Sequence, residues 1–227
     1  MSTKTRGQPA KETDASPETS PDTYITMSGI GWETFEGIAD RTRGGRVRYD
    51  DGELEIMSPS IQHEGFGDCL RDLVAALTEH LGIDEIGVGS TTWKSPGVKK
   101  GAEADAAFYL DPAKLPAVIE LKARGEKEIT KYPPPDLVIE IEIDMRRPDG
   151  SRPGVFAAVG AVELWEFNGR TARIRRLGPN RSYVDADHSG WLKVTPALIE
   201  RAVREAPPLG TVRRRWLRTF VADHLKA

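Results

Sequence analysis

Between Ile139 and Asp144, acidic residues alternate strictly with isoleucines: Ile139-Glu140-Ile141-Glu142-Ile143-Asp144, behind Pro133-Pro134-Pro135-Asp136 and Leu137-Val138. A strand turns successive side chains to opposite faces, so the isoleucines share one face and Glu140, Glu142 and Asp144 share the other. Carboxylates on one face repel each other, and a strand this apolar suits burial. The acidic face therefore needs a cation, a basic partner or an open cleft. One chemistry it supports is oxygen ligation of a divalent cation for metal-assisted hydrolysis. The competing account is an edge strand whose acids face water and block aggregation. This stretch alone leaves both open.

A second acid stands in a comparably costly place. In Glu103-Ala104-Asp105-Ala106-Ala107-Phe108-Tyr109-Leu110 the alternation predicts one strand, with Glu103, Asp105, Ala107 and Tyr109 on one face. Asp105 within such a strand needs a partner. Hydrolysis of a phosphodiester with Mg2+ (or Mn2+) uses two or three carboxylates and a balancing cation, and Asp105 and Glu140 on separate strands fit the first requirement. Glu64 opens a helical segment, where the helix dipole alone favours an acid. His63 beside it is a surface residue, a ligand or a proton carrier, and a lone histidine does not decide which. Lys94 ends the strand-like stretch Gly87–Lys94 and could activate water if it reached the acids.

The elements that must position these residues follow from periodicity and punctuation. Residues 1–23 are polar and proline-bearing with little to bury, and read as a disordered tail ahead of a single domain over 24–227. Trp32, Phe35, Ile38 and Ala39 carry helical spacing. Arg46–Tyr49 and Glu53–Met57 flank Asp50-Asp51-Gly52 as a hairpin. Phe66, Leu70, Leu73, Val74, Leu77 and Leu81 predict an amphipathic helix over 61–81, started after Ser58-Pro59-Ser60 and stopped at Gly82. Val118–Lys122 reads as a short strand, and Met145–Gly154, with Arg146, Arg147 and Arg152, as a loop at the mouth of a site. Val155–Val159 is helix-like up to Gly160, Val162–Phe167 and Thr171–Leu177 form a hairpin over Asn168-Gly169, and helices follow near 195–205 and 211–225. Arg213, Arg214, Arg215 and Arg218 give the last helix a basic face. This order predicts a mixed α/β (α+β) fold with helices on a central sheet.

Composition limits the partners. The chain has 227 residues, 32 Lys and Arg against 35 Asp and Glu, and a formal net charge of -3, so any nucleic-acid contact must come from a local patch. The one cysteine, Cys69, excludes an intramolecular disulfide and a cysteine-based zinc site, and suits a reducing compartment. No run reads as a membrane span or the apolar core of a signal peptide, so the expectation is a cytoplasmic protein with no membrane partner.

Several of these stretches together carry a resemblance. Trp32-Glu33-Thr34-Phe35, Tyr49–Pro59, His63-Glu64, Gly89-Ser90-Thr91-Thr92, Glu103-Ala104-Asp105 with Phe108-Tyr109, Pro134–Ile141 and Gly160–Trp165 resemble the Uma-two family of putative restriction endonucleases. That family is similar in fold to the PD-(D/E)XK nucleases. The resemblance implies a restriction-endonuclease-like core, a DNA substrate and Mg2+. Carried over by position, it gives Asp105 and Glu140 as the metal ligands and Glu64 as an auxiliary acid; Glu142, which the family motif does not supply, is read from its place on the acidic face as an extra ligand.

The sequence departs from that pattern in places. Ala104 stands where the motif has proline, and Glu142 where it has lysine. Family members without that lysine tend to carry one further on, at the position of Arg152, which keeps the charge but does not readily act as a base. Glu120-Leu121-Lys122 spells the literal Glu-x-Lys triplet and offers a rival register; the buried, proline-flanked strand favours Glu140. A homodimer would supply the second site that cutting both strands takes. The alternative is a catalytically degenerate nuclease fold that binds nucleic acid or a partner, and hydrolysis of another phosphoester is a third reading.

Overall fold

The computed structural model describes residues 22–42, 45–143 and 152–225. The Asp-Gly signal gives a two-residue hairpin. β2 (Arg46–Asp50) and β3 (Glu53–Ser58) pair with Asp50 opposite Glu53, while Asp51 and Gly52 turn at φ 43° and 102°. Positive φ at both central residues is the twist-matched turn that Asp-Gly favours. β1 (Thr23–Met27) adds antiparallel to β3, and β6 (Lys100–Glu103) and β5 (Thr92–Ser95) extend the other side, giving one sheet in the order β1-β3-β2-β6-β5.

A second sheet runs β11 (Tyr183–Ala186), β10 (Ala172–Leu177), β9 (Glu163–Phe167), β8 (Leu137–Ile141), β7 (Ala106–Tyr109) and β4 (Ile86–Gly87). Its one parallel pair is β8 with β9, joined through α4 (Arg152–Val159), as a parallel pair requires a crossover. α2 (Ile61–Leu81) keeps both predicted ends. The Ser60 hydroxyl accepts from the His63 N–H at 3.2 Å, and Gly82 closes the helix at φ 65°. Leu70, Leu73, Val74 and Leu77 of α2 pack with Ile139, Ile141 and Trp165 on one face of the second sheet. Each such side chain contributes about 1.5–3 kcal/mol of burial. α5 (Pro196–Glu205) and α6 (Gly210–His224) cover the same face. The opposite face buries Val138 and Leu164 with Val155 and Phe156 of α4, Val118, and Trp93 and Ala102 of the first sheet. Phe35 of α1 (Trp32–Ala39) seals the far side of the first sheet against Val47, Tyr49 and Leu54.

Four expectations change. Asp22 and Thr23, placed in the tail by sequence, are ordered, with Thr23 opening β1, and the rest of the predicted tail, residues 1–21, lies outside the described residues. Glu103–Leu110 is not one strand. β6 ends at Glu103 in the first sheet, β7 begins at Ala106 in the second, and Ala104-Asp105 make the crossing. The alternation slips there by one residue, so Ala102 and Ala104 share a core with Ala107 and Tyr109 while Ala106, Phe108 and Leu110 face α2. Val118–Lys122 is not a strand but part of α3 (Leu115–Ala123), where Pro116 sits in the first turn, a position proline tolerates. β8 ends at Ile141, so Glu142 and Ile143 lie past the strand; Asp144 and most of the predicted Met145–Gly154 loop lie outside the described residues. Among the described residues, no helix is long and apolar enough to cross a membrane.

Candidate active site

The crossing between the sheets puts Asp105 against the C-terminal end of β8. Its backbone N–H points to Glu140 Oε1 at 3.3 Å, and its own Oδ2 accepts the Ile141 N–H at 2.8 Å. This reciprocal arrangement sets the two predicted acids side by side, and both are buried, Asp105 at 2 % exposure and Glu140 at 8 %. Glu55 and Glu103 join them around a crevice of about 20 Å³ that also touches Arg46 and Arg48. A space of that size holds about one water molecule.

Asp105 Oδ1 has two partners. It accepts from Arg46 Nε at 2.6 Å and lies 2.9 Å from His63 Nε2. His63 in turn reaches Asp22 Oδ2 through Nδ1 at 2.9 Å, and Asp22 Oδ1 accepts the Ser60 N–H at 2.7 Å. Arg46 continues to Glu64, with Nη2 at 2.9 Å from Oε1. Charges therefore alternate along a line, Asp22, His63, Asp105, Arg46, Glu64.

An imidazole between two carboxylates must carry both protons to satisfy them. Burial works against that charge in His63, but the hydrogen bonds and fields of Asp105 and Asp22 outweigh it and lift its pKa to about 9. Burial likewise pushes Asp105 up, and is overcome by the hydrogen bond and charge of His63, by Arg46 and by the Ile141 N–H, leaving it below the ordinary carboxylate value. Asp22 is also lowered, its burial outweighed by His63 and the Ser60 N–H. Glu103 moves the other way, raised by burial against the pull of Ser90 and Arg46.

The remaining candidates are distributed unevenly. Glu64 joins through Arg46 and is the open end of the line, its side chain 43 % exposed. Glu142 is held by the Tyr24 hydroxyl at 3.2 Å, and its N–H continues the ladder to the Phe167 carbonyl. Lys94 does not reach the pair. Its Nζ binds Asp40 Oδ1 at 3.1 Å beside Glu36, at the wall of a separate cavity of about 900 Å³ lined by Trp93, Ile129 and Tyr132. Arg152 opens α4, and its side chain lies outside the described residues. Glu120 is on the exposed face of α3, paired with Arg124 one turn on, so the Glu120-Leu121-Lys122 register has no strand to stand on. The basic run of α6 is largely spoken for by α2, through Arg213 to Asp72 at 2.7 Å and Arg218 to Glu79 at 2.7 Å.

Sequence reasoning missed Arg46 and Asp22, and left the role of His63 open. The one local signal was the capping serine, which fixes His63 in the first turn of α2. Nothing near Arg46 announces its reach, because the contact spans 59 positions.

Two facing sheets, helices on both sides of the second, and an acidic pair where the chain crosses between them define an α+β, restriction-endonuclease-like fold. The chain belongs to the Uma2 family, described as putative restriction endonuclease, whose family model matches residues 32–202. The matched span contains Arg46, His63, Glu64, Asp105 and Glu140, and leaves Asp22 and α6 outside. No curated protein matches the chain.

Proposed function

We propose that this protein is an endonuclease that hydrolyses DNA phosphodiester bonds with Mg2+, or Mn2+ in its place, at Asp105 and Glu140. The observation that carries the reading is the adjacency of these two buried carboxylates, 35 positions apart in the chain and tied by the Asp105 N–H. Hard oxygen donors suit Mg2+. A cation already stands against Asp105 in the form of the Arg46 guanidinium, which indicates that the pair demands positive charge. Among the described residues, no group of three or more acids, histidines or cysteines is arranged to hold a metal ion, so the carboxylate pair is the ligand set proposed. When bound, such an ion polarises the phosphate and lowers the pKa of a water molecule.

The chain's own residues do the rest. Ile141 fixes one oxygen of Asp105 through its N–H, and His63, protonated, fixes the other. Glu64 anchors Arg46 at the open side. Arg152, at the start of the crossover helix, is assigned to the phosphate, and Glu142 to an outer position next to Tyr24. A second copy would supply the second cut.

A non-cleaving binder is the second reading. What favours it is that both Asp105 oxygens are already engaged. Nicking of supercoiled plasmid with Mg2+, Mn2+ or EDTA separates the two. The endonuclease reading expects metal-dependent nicking, lost in Asp105→Asn and Glu140→Gln; an inert wild type that retards DNA in a gel supports the binder.

A further inference from the structure

The strand that carries Glu140 brings no cation two residues on, because that position is Glu142. Positive charge comes instead from two other elements, His63 and Arg71 of α2 and Arg46 and Arg48 of β2; of these, His63 and Arg46 bond the Asp105 carboxylate, while Arg71 donates to the Asp105 carbonyl at 3.1 Å. His63 of α2 is fully enclosed, with a carboxylate on each nitrogen and 0 % side-chain exposure. Arg46 of β2 is held differently. Its Nε is on Asp105, its Nη2 is on Glu64, and the Glu64 side chain is 43 % exposed. Guanidinium stays charged at any ordinary pH and offers its donors as a rigid fork, so one arginine can bridge two acids. Charge-assisted bonds of this length are strong.

Asp105 Oδ1 accepts from both groups, which uses its two lone-pair directions. A divalent ion that binds Oδ1, the oxygen that meets Arg46 at the crevice, must therefore displace one donor; Oδ2 is turned to β8, where it accepts the Ile141 N–H. His63 has nowhere to go, being packed between Asp22 and Asp105. Arg46 has a second carboxylate already in hand at the open side of the site.

We propose that Arg46 is the resident cation of the acidic pair, filling the charge role left vacant by Glu142, and that a divalent ion enters by displacing Arg46 from Asp105 while Glu64 retains it. This rests on the reading of Asp105 and Glu140 as a cation-binding pair. It makes Arg46 a positioning residue whose removal favours metal, and Glu64 the residue that makes room for metal.

The test is calorimetric titration of the full chain with Mn2+ alone, with folding checked by circular dichroism. Arg46→Gln should bind Mn2+ about tenfold more tightly than wild type, the scale of one charge-assisted hydrogen bond lost to the competitor. Arg46→Lys should fall between them, and Glu64→Gln should bind several-fold more weakly than wild type. An affinity in folded Arg46→Gln equal to or below wild type overturns the proposal, as does undetectable Mn2+ binding in every variant. If Arg46→Gln does not fold, Glu64→Gln decides: weaker binding supports displacement, unchanged binding removes it. Plasmid nicking is run in parallel. Tighter Mn2+ binding by Arg46→Gln in a protein that never nicks DNA keeps this proposal and removes the nuclease reading; nicking with an unchanged Mn2+ affinity does the reverse.

Discussion

Arg46 Nε donates to Asp105 Oδ1 at 2.6 Å, across the seam where the chain leaves one sheet for the other. The bond ties the hairpin sheet to the crossing residue, and through Ile141 to β8. The acidic pair is thus part of the joint between the two halves of the fold. Its charges bear on stability as well as chemistry.

The pH dependence of folding should carry the mark of His63. Its pKa rises from 6.5 to about 9 in the folded chain, so its contribution is fully present below about pH 6.5 and is lost as pH climbs through 9. A displacement of that size corresponds to stability on the order of 3 kcal/mol. Urea midpoints measured from pH 6 to 10 should fall steeply in wild type and stay nearly flat in His63→Gln. Equal slopes in the two proteins would contradict the imidazolium assignment.

Gly101 is pinned beneath an aromatic ring. A Cβ there would lie 2.5 Å from Phe35 Cζ, and Phe35 is fully buried and stacked on Tyr49. Gly101→Ala should cost about 1–3 kcal/mol by forcing that ring aside. Gly97, with nothing near its Cβ position, should accept alanine within about 0.5 kcal/mol. Equilibrium urea unfolding distinguishes the two.

Arg213 and Arg218 make the same bond length to α2 in different surroundings. The Arg213 and Asp72 side chains are 12 % and 17 % exposed, those of Arg218 and Glu79 both 58 %. Arg213→Ala should lose about 1–2 kcal/mol and Arg218→Ala less than about 0.5 kcal/mol. A double-mutant cycle with Asp72→Ala should return coupling for Arg213.

Lys94 and Glu120 are candidates by sequence that the fold turns elsewhere. Lys94→Met should keep plasmid nicking within a few-fold of wild type, because its ammonium serves Asp40 and Glu36. Glu120→Gln should do the same. Loss of nicking in folded Glu120→Gln would reopen the rival register.

How much of this was legible depended on whether the deciding contact was local. α2 can be read to its ends, because a capping serine and a left-handed glycine bracket the apolar spacing. The hairpin at Asp51-Gly52 is equally local. The break at Ala104-Asp105 is not, since a run of alanines fits either one strand or two, and pairing with different sheets chooses between them. α3 misleads because its apolar and charged residues alternate while only Val118 is buried. Asp105 and Glu140 can be picked out from the sequence, since carboxylates in apolar surroundings are conspicuous, whereas Asp22, in a polar stretch, cannot. Their counter-charges cannot, because arginine in an alternating strand is ordinary and its partner depends on the register of β2 with β6.

Asp22 stands one residue ahead of the first strand. Cutting at Thr23 would leave all three hydrophobic cores whole while stripping His63 of one of its two acids. Such a shortened protein would have the silhouette of the parent and a weaker hold on its central proton.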